Sequence, residues 1–253
     1  MTPSPELAAA LEAAEAAARV IRGLYQRQPA VQLKADQSPV TAADLGAEEA
    51  IRAVLAAHFP AHAFHGEETG RRGDSDSLWL VDPLDGTKAF VREYPMFSTQ
   101  IALMRAGRLV LGVSSAPLYG ELAYAERGAG AWLNGRPLAV SGIDRLEAAA
   151  VSAGNLRTLA SGPRWAAYGR VVARVNRIRG YGDFLHYHLL AAGKIDAVVE
   201  SDVSILDIAA LVTIVEEAGG RFTALDGAAV GLGTTSVLAT NSQLHAALLS
   251  ALA

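Results

Sequence analysis

The stretch Leu78-Trp79-Leu80-Val81-Asp82-Pro83-Leu84-Asp85-Gly86-Thr87-Lys88-Ala89-Phe90 decides the fold, because an apolar run stops abruptly at two carboxylates and a glycine. Four successive apolar residues predict an interior strand, and Pro83 has no N–H to donate to a ladder. We therefore expect strand pairing to end at Pro83, where the chain should turn. This places Asp82 and Asp85 together at the carboxyl end of the strand.

Two carboxylates in this position can hold a cation. They repel each other unless a cation lies between them, and Mg²⁺ prefers hard oxygen ligands. Gly86 lets the backbone approach an anion closely, and Thr87 offers a hydroxyl and an N–H at a predicted helix start, where phosphate is favoured. The alternative is an acidic turn, in which Asp85-Gly86 acts only as a turn signal. Locally, both interpretations stay open.

The composition bounds the class of protein. The chain has 253 residues, of which 51% are hydrophobic, and this is ample for the core of one large domain or two small ones. No linker, tandem repeat or low-complexity tract divides the chain, so we predict a single domain over residues 1–253. The formal net charge of −4 comes without a clustered basic excess, which argues against a nucleic-acid partner.

The chain contains no cysteine, which excludes disulfides, thiolate metal sites and a cysteine nucleophile. This composition fits a reducing compartment, and we predict a cytoplasmic protein. The N-terminus has no basic segment, and its alanines are interrupted by Glu12, Glu15 and Arg19. We therefore predict neither a signal peptide nor a membrane span, and no membrane partner.

Two helices are predicted before the central stretch. Ser4-Pro5-Glu6 combines a capping hydroxyl, a first-turn proline and an acid that complements the helix dipole, and so begins an amphipathic helix that ends before Gln28-Pro29. A polar, turn-rich segment over residues 34–41 leads into a second helix from about residue 42 to 58. Asp44 lies in the first turn of that helix, where the dipole alone would explain it.

The remainder of the first half is predicted to be rich in antiparallel sheet. Residues 64–70 are expected to form a short loop, in which Glu67 and Glu68 are explained locally as solvated charges. Strands are expected over residues 97–104, 109–113, 121–125 and 131–133, with tight turns at Ala106-Gly107 and Asn134-Gly135.

From residue 148 onward strands alternate with helices, which predicts a layered α/β arrangement. Strands are expected at Val151 and over residues 177–179 and 195–200, and helices over residues 164–175 and 184–192. Ser204 is predicted to cap a further helix, which Gly219-Gly220 ends. Asp207 lies near the start of that helix, where the dipole again explains it locally.

Several acids of the chain share a position at a strand end or in a first helical turn: Asp44, Glu67, Asp82, Asp85 and Asp207. A site for two or three Mg²⁺ ions needs converging carboxylates and a backbone carbonyl, such as that of Leu84, and a phosphate would supply the remaining oxygens. None of these acids indicates a metal site by itself.

The order of the motifs closely resembles the inositol monophosphatase superfamily of metal-dependent, lithium-sensitive phosphatases. The resemblance spans nearly all 253 residues. It rests on Ser38-Pro39-Val40-Thr41 with Asp44, Gly66-Glu67-Glu68, residues 79–87, and Leu206-Asp207-Ile208-Ala209-Ala210 with Glu217-Ala218-Gly219-Gly220. The family usually has tryptophan in place of Leu206. Leucine keeps the bulk but loses the indole N–H, so packing beside the substrate is expected to differ.

The resemblance implies an alternating α-β-α-β-α sandwich of the inositol monophosphatase and fructose-1,6-bisphosphatase type. Residues 1–145 would form the metal-binding, antiparallel-sheet half of the domain, and residues 146–253 the substrate-side α/β half. A small phosphorylated metabolite would be the substrate, and a homodimer is the family expectation.

The resemblance also implies a set of metal ligands: Glu67, Asp82, Asp85, Asp207 and the carbonyl of Leu84. These residues would hold two or three Mg²⁺ ions. Asp44 and Thr87 would position the attacking water, with Glu67 as a further catalytic residue. The backbone N–H groups of Gly86 and Thr87 would bind the phosphate.

The chain looks most like the histidinol-phosphate phosphatase branch of the superfamily in residues 179–185 and 199–201, together with Ser114-Ser115-Ala116-Pro117 and Asp226-Gly227. Asp183 and Glu200 are predicted to contact the substrate. Locally, Asp183 is also explained as a helix cap and Glu200 as an acid at the end of a strand. Inositol monophosphatases commonly have serine or threonine in place of Asp183, and an added carboxylate suits a cationic amine or imidazolium better than a neutral polyol. We therefore rank L-histidinol phosphate first, myo-inositol monophosphate second and a phosphoadenosine bisphosphate nucleotide third.

Two other classes remain as alternatives. Haloacid-dehalogenase-type phosphatases use an Asp-x-Asp-Gly-Thr motif whose first aspartate becomes phosphorylated. Here two residues separate Asp82 from Asp85 and the motif lies well inside the chain, which argues against that class. A binding or regulatory descendant without catalysis would be marked by the loss of a metal ligand, and none of the implied ligands is lost.

Overall fold

The computed structural model describes residues 3–27, 31–33 and 39–253. The predicted Gln28-Pro29 boundary and residues 34–38 of the turn-rich segment, including Ser38 of the first motif, lie outside these ranges.

The helices of the described residues are α1 (Pro5–Leu24), α2 (Ala42–His58), α3 (Thr87–Val91), α4 (Arg157–Ser161), α5 (Trp165–Arg174), α6 (Asp183–Ala191), α7 (Ile205–Glu217) and α8 (His245–Leu252), with a 3₁₀ turn at Leu146–Ala148. The strands are β1 (Gln32–Leu33), β2 (Pro39–Val40), β3 (Ala63–Gly66), β4 (Gly70–Arg72), β5 (Ser77–Asp85), β6 (Ser98–Arg105), β7 (Arg108–Ala116), β8 (Glu121–Glu126), β9 (Gly130–Leu133), β10 (Arg136–Pro137), β11 (Ala150–Ala153), β12 (Arg177–Arg179), β13 (Ala197–Ser201), β14 (Arg221–Thr223) and β15 (Ser236–Thr240).

The first half forms a large sheet with strand order β10-β9-β8-β7-β6-β5-β3-β4. All neighbours in it are antiparallel except β3 and β5, which are parallel. Ala106-Gly107 and Asn134-Gly135 form the tight turns, with φ of 48° and 77° in the first and 49° and 76° in the second. Both residues of a two-residue type I′ turn need positive φ, so the predicted hairpins are confirmed.

The central strand does not end at Pro83 as predicted. Strand β5 continues to Asp85, which pairs with Ser98 of β6 after a register shift that follows Asp82. Pro83 occupies this irregularity, where the ladder needs no N–H from it, and its carbonyl accepts the Thr99 hydroxyl at 2.8 Å. The expected loop over residues 64–70 is also shorter, because residues 64–66 belong to β3.

The second half forms a mixed sheet with strand order β12-β11-β13-β15-β14. The predicted alternation of strands and helices is confirmed for β11 to α7, with boundaries within about two residues. No prediction from the sequence covers helix α4 or the elements after residue 220.

The elements stack in the alternating order that the family resemblance implies. Helices α1 and α2 cover one face of the large sheet, with Leu7 and Ile51 in their core. Helices α6 and α7 lie between the two sheets, and a Cβ added to Gly112 of β7 would lie 2.3 Å from the carbonyl oxygen of Ala210 in α7. Helices α5 and α8 cover the outer face of the second sheet. The fold is therefore a mixed, layered α/β sandwich.

None of the helices in the described ranges combines the length and the apolar character needed to cross a bilayer.

His245 gives the fold a pH-dependent contact that can be tested. The ring is buried, with Nε2 3.1 Å from the Thr223 hydroxyl and Nδ1 3.2 Å from the Thr240 hydroxyl. Burial, and then the charge of Arg221, lower the pKa of His245 from 6.5 to about 4. In the unfolded chain His245 therefore takes up a proton as the pH falls below 6.5. In the folded chain it does so only near pH 4.

The direction of the pH dependence of stability follows from this difference in proton uptake. Full stability is present above about pH 6.5 and is lost as the pH falls towards 4. We expect His245 to account for a loss on the order of 1–3 kcal/mol over this window. Urea unfolding of the wild type and of His245→Gln at about pH 7.5 and about pH 5 measures the loss as a difference between the two proteins. Equal pH dependence in both would contradict the assignment.

Candidate active site

Four acids from separate elements meet at the carboxyl end of β5. Asp82 and Asp85 come from β5 itself, Glu67 follows the parallel neighbour β3, and Asp207 lies in the first turn of α7. The Glu67 N–H donates to the Val81 carbonyl at 3.1 Å, which brings the turn after β3 to the end of β5. The set of acids chosen from sequence is therefore brought together.

The carboxylates of this cluster raise one another's pKa. Burial raises the pKa of Asp82 well above its usual value, and the charges of Glu67, Asp85 and Asp207 raise it further. Burial also raises the pKa of Asp85, followed by the charges of Asp183 and Asp207. These carboxylates repel each other strongly, and the repulsion would be relieved by a cation between them.

Asp207 has a structural role as well as a place in the cluster. Its carboxylate accepts the Ser204 N–H at 2.8 Å and the Ser204 hydroxyl at 2.8 Å, in a capping box that begins α7. Burial raises the pKa of Asp207 to about 6, although the Ser204 hydrogen bonds lower it. The preceding residue, Leu206, is buried in the core between the two sheets.

Glu48 is a site residue that the sequence analysis missed. It is 1% exposed on α2, and its carboxylate accepts the N–H groups of Glu68 at 2.8 Å and Thr69 at 2.9 Å. A Cβ on Gly66 would lie 2.3 Å from this carboxylate. Glu48 therefore holds the turn that presents Glu67. Its spacing of four residues from Asp44, on the buried face of α2, is the signal that could have identified it.

Asp44 and Thr87 form a hydrogen-bonded pair beside the cluster. The Thr87 hydroxyl donates to Asp44 Oδ1 at 2.8 Å, with the Leu84 carbonyl as a second acceptor at 3.1 Å. Asp44 Oδ2 accepts the N–H and the hydroxyl of Thr41, each at 2.7 Å. Burial raises the pKa of Asp44, and the bonds from Thr41 and Thr87 oppose the rise. Asp44 thus completes the capping box of α2, a role beyond the dipole partner considered from sequence, and its Oδ1 remains for Thr87.

Gly86 connects the end of β5 to α3 with φ of 96°. A Cβ at this position would lie 2.5 Å from the Met96 carbonyl oxygen, so a larger residue is excluded by contact as well as by conformation. Gly86 and Thr87 line a cavity of about 210 Å³ together with Glu67, Asn155 and Asp183.

A second, smaller cavity joins the cluster to the substrate-side half. Its walls include Asp85, Asp183, Glu200 and Asp207, and it shares Asn155 and Asp183 with the cavity at Gly86. Two larger cavities, of about 560 and 690 Å³, contain none of the cluster acids. The site is therefore identified by its charge and not by its volume.

Asp183 does not act as a helix cap. It is the first residue of α6, the capping position belongs to Gly182, and no hydrogen bond to the Asp183 carboxylate is found among the described residues. Its φ of 46° is unusual for a residue other than glycine, and such backbone strain is concentrated at functional sites. Burial raises the pKa of Asp183, followed by the charge of Glu200, while His186 lowers it.

Glu200 is more than a strand-end acid, since three groups surround its buried carboxylate. Tyr187 donates its hydroxyl to Oε2 at 2.7 Å, the Asn155 N–H donates to Oε1 at 3.1 Å, and His186 Nε2 lies 3.2 Å from Oε2. Burial raises the pKa of Glu200, but the contacts with His186 and Tyr187 lower it overall. Asp183, with its strained backbone, and the firmly held Glu200 thus line one cavity with Asp85 and Asp207.

The donor set fits a hard cation. No group of three or more His, Asp or Glu side chains in the described ranges is arranged to hold a metal ion as it stands. The cluster nevertheless offers only carboxylates and the Leu84 carbonyl, which are the ligands that Mg²⁺ prefers. The raised pKa values of Asp82 and Asp85 indicate negative charge that this arrangement leaves uncompensated.

Comparisons with known proteins identify the family of this chain. A family model described as inositol monophosphatase family matches residues 3–253. The histidinol-phosphatase of Mycobacterium tuberculosis is 40% identical over 85% of this chain and 85% of its own, and the inositol-1-monophosphatase of Mesorhizobium japonicum is 38% identical over 87% and 85%. The solved structure of the extragenic suppressor protein suhB from Bartonella henselae superposes with a TM-score of 0.91 and 34% identity over 98% of both chains.

Proposed function

The chain belongs to the inositol monophosphatase family, and from this premise we propose that it hydrolyses L-histidinol phosphate with the help of Mg²⁺. The family is a phosphatase family and is generally metal-dependent. Membership also removes the haloacid-dehalogenase alternative, because the match covers the whole of residues 3–253. A single catalytic domain, a homodimer and a cytoplasmic location are parts of this proposal.

The proposed metal ligands are Glu67, Asp82, Asp85, Asp207 and the Leu84 carbonyl, which would hold two or three Mg²⁺ ions. Bound Mg²⁺ supplies the positive charge that activates the water nucleophile and stabilises the leaving oxygen. The raised pKa values of Asp82, Asp85 and Asp207 support the assignment.

Asp44 and Thr87 are proposed to orient the attacking water. The Thr87 hydroxyl donates to Asp44 Oδ1, so its lone pairs are free to accept a proton from a water in the adjoining cavity. Asp44, with its raised pKa, can take up the proton that Thr87 passes on. Glu67 lines the same cavity and is proposed to assist there. The N–H groups of Gly86 and Thr87 are proposed to bind the phosphate.

The substrate proposal rests on one observation, the Asp183 carboxylate in the active-site cavities. It accepts no hydrogen bond among the described residues and lies beside a second acid, Glu200. A cationic amine or imidazolium would compensate both charges, whereas a neutral polyol would leave them repelling each other. Similarity to a histidinol-phosphatase supports the same substrate. Similarity to an inositol-1-monophosphatase keeps myo-inositol monophosphate as the second candidate.

Asp183→Ser tests the substrate directly. If Asp183 contacts the cationic end of histidinol phosphate, the variant loses a charge-assisted hydrogen bond of about 1.5–3 kcal/mol, or roughly tenfold to a hundredfold in kcat/KM. Inositol phosphate should lose far less. The measurement is phosphate release over histidinol phosphate, inositol phosphates, sugar phosphates and phosphoadenosine nucleotides.

The control is Asp74→Ser, which removes an acid whose side chain is fully exposed. This variant should match the wild type on every ester. Equal proportional losses on both substrates in Asp183→Ser would indicate a structural role for Asp183. A wild-type protein that ignores histidinol phosphate would overturn the substrate proposal itself.

A further inference from the structure

His186 is a fully buried histidine on α6 that the proposed reaction does not use. It is 0% exposed and follows Asp183 by three residues on the same helix. One ring nitrogen, Nδ1, lies 3.4 Å from the Ser152 hydroxyl, and the other, Nε2, lies 3.2 Å from Glu200 Oε2. The ring is thus inserted between β11 and the carboxylate at the end of β13.

The surrounding hydrogen bonds favour one tautomer of the His186 ring. The Tyr181 N–H donates to the Ser152 oxygen at 3.2 Å, so the Ser152 hydroxyl is free to donate its own hydrogen to His186 Nδ1. A neutral imidazole then carries its hydrogen on Nε2, on the side of Glu200. In this tautomer His186 presents an N–H to Glu200.

The Nε2 atom has no partner other than this carboxylate. Its angle to Glu200 falls short of a hydrogen bond, and no other acceptor of the described residues satisfies it. Buried N–H groups without a full hydrogen bond are rare, because leaving them unsatisfied is costly. A small rotation of the His186 ring would complete the bond to Glu200 Oε2.

Glu200 has little freedom to move by itself. Its two oxygens are held by the Tyr187 hydroxyl and the Asn155 N–H, and a Cβ on Gly154 would lie 1.9 Å from Oε1. The carboxylate therefore fits only beside a glycine, with His186 on the remaining side.

We propose that His186 is a positioning residue that keeps the Glu200 carboxylate oriented towards the cationic end of a phosphorylated amino alcohol. This inference rests on the proposed function, because Glu200 must face the substrate for His186 to affect it. The consequence is selective. A cation forms a strong, charge-assisted hydrogen bond with a correctly oriented carboxylate, whereas the hydroxyl groups of a polyol form weaker ones. His186 should therefore affect the choice between the two classes of ester more than the rate of hydrolysis.

The experiment compares His186→Leu with His186→Gln on L-histidinol phosphate and myo-inositol 1-phosphate. Leucine removes the donor, so KM for histidinol phosphate should rise about tenfold with little change in kcat, while inositol phosphate changes much less. Glutamine can donate to Glu200 and accept from Ser152, and it should restore the wild-type ratio of the two kcat/KM values. If His186→Leu does not fold, His186→Met provides an apolar and more flexible replacement.

His188→Leu is the matched control. His188 lies two residues further along α6, is also buried, and also contacts one glutamate and one serine, Glu121 at 2.8 Å and Ser114 at 2.9 Å. Its loss should lower the melting temperature without changing the ratio of the two substrates. In a Glu200→Gln background, His186→Leu should leave the ratio unchanged, since both variants act on one carboxylate.

The outcomes separate this inference from the proposed function. A wild-type protein without preference for histidinol phosphate contradicts the proposed function. A wild-type preference that survives in His186→Leu, or that His188→Leu abolishes equally, overturns the role of His186. A ratio that shifts in His186→Leu even without the Glu200 carboxylate also overturns it.

Discussion

Asp85→Asn is expected to abolish phosphate release while leaving the fold intact. The amide keeps the shape of the side chain at the end of β5 but removes one negative charge from the centre of the acidic cluster. We expect kcat/KM to fall by roughly 10³-fold or more, because the charge that stabilises the transition state depends on a bound cation. The measurement is phosphate release at saturating Mg²⁺, with circular dichroism to establish that the variant is folded.

The sign of the stability change gives this prediction a second readout. Asp85 is repelled by its neighbours, so its neutral variant should be at least as stable as the wild type when Mg²⁺ is absent. Asp74→Asn, at an exposed position, should match the wild type in both activity and stability. Near-normal turnover of Asp85→Asn with a normal requirement for Mg²⁺ would remove Asp85 from the metal site.

The acidic cluster could be predicted from sequence because its members carry local signals. Asp82 and Asp85 end an apolar run, and Asp207 follows a capping serine, so each has a recognisable position in its own element. The order of these motifs along the chain, compared with a known family, then indicated that they converge. The predicted end of β5 at Pro83 was wrong for a physical reason. A proline ends a regular ladder but is accommodated where the register shifts.

The supporting groups around the cluster could not be predicted in the same way. Glu48 and His186 act through residues that are distant in sequence, and their partners are decided by the packing of α2 and α6. The positive φ of Asp183 is equally invisible to local propensity, because glycine would be the ordinary choice for that conformation. Such residues resemble ordinary helix residues until the tertiary contacts are known.

Removing divalent cations is expected to stop the reaction completely. The cluster has no positive charge of its own to offer a phosphate, and its carboxylates would repel the substrate. Excess chelator should therefore reduce phosphate release to background, and Mg²⁺ added beyond the chelator should restore it. Li⁺ should inhibit, as the family resemblance implies, whereas Na⁺ at the same ionic strength should not.

The same cations should stabilise the folded chain. Binding to the folded state alone contributes about 2.7 kcal/mol when Mg²⁺ is a hundredfold above its Kd, which corresponds to a rise of roughly 5–10 °C in melting temperature for a chain of this size. Asp85→Asn should show a smaller rise, because it lacks one of the charges that hold the cation. Sustained turnover in excess chelator would contradict the metal-dependent mechanism. An equal rise in both proteins would instead place the cation away from Asp85, because a ligand's loss must weaken the binding that produces the stabilisation.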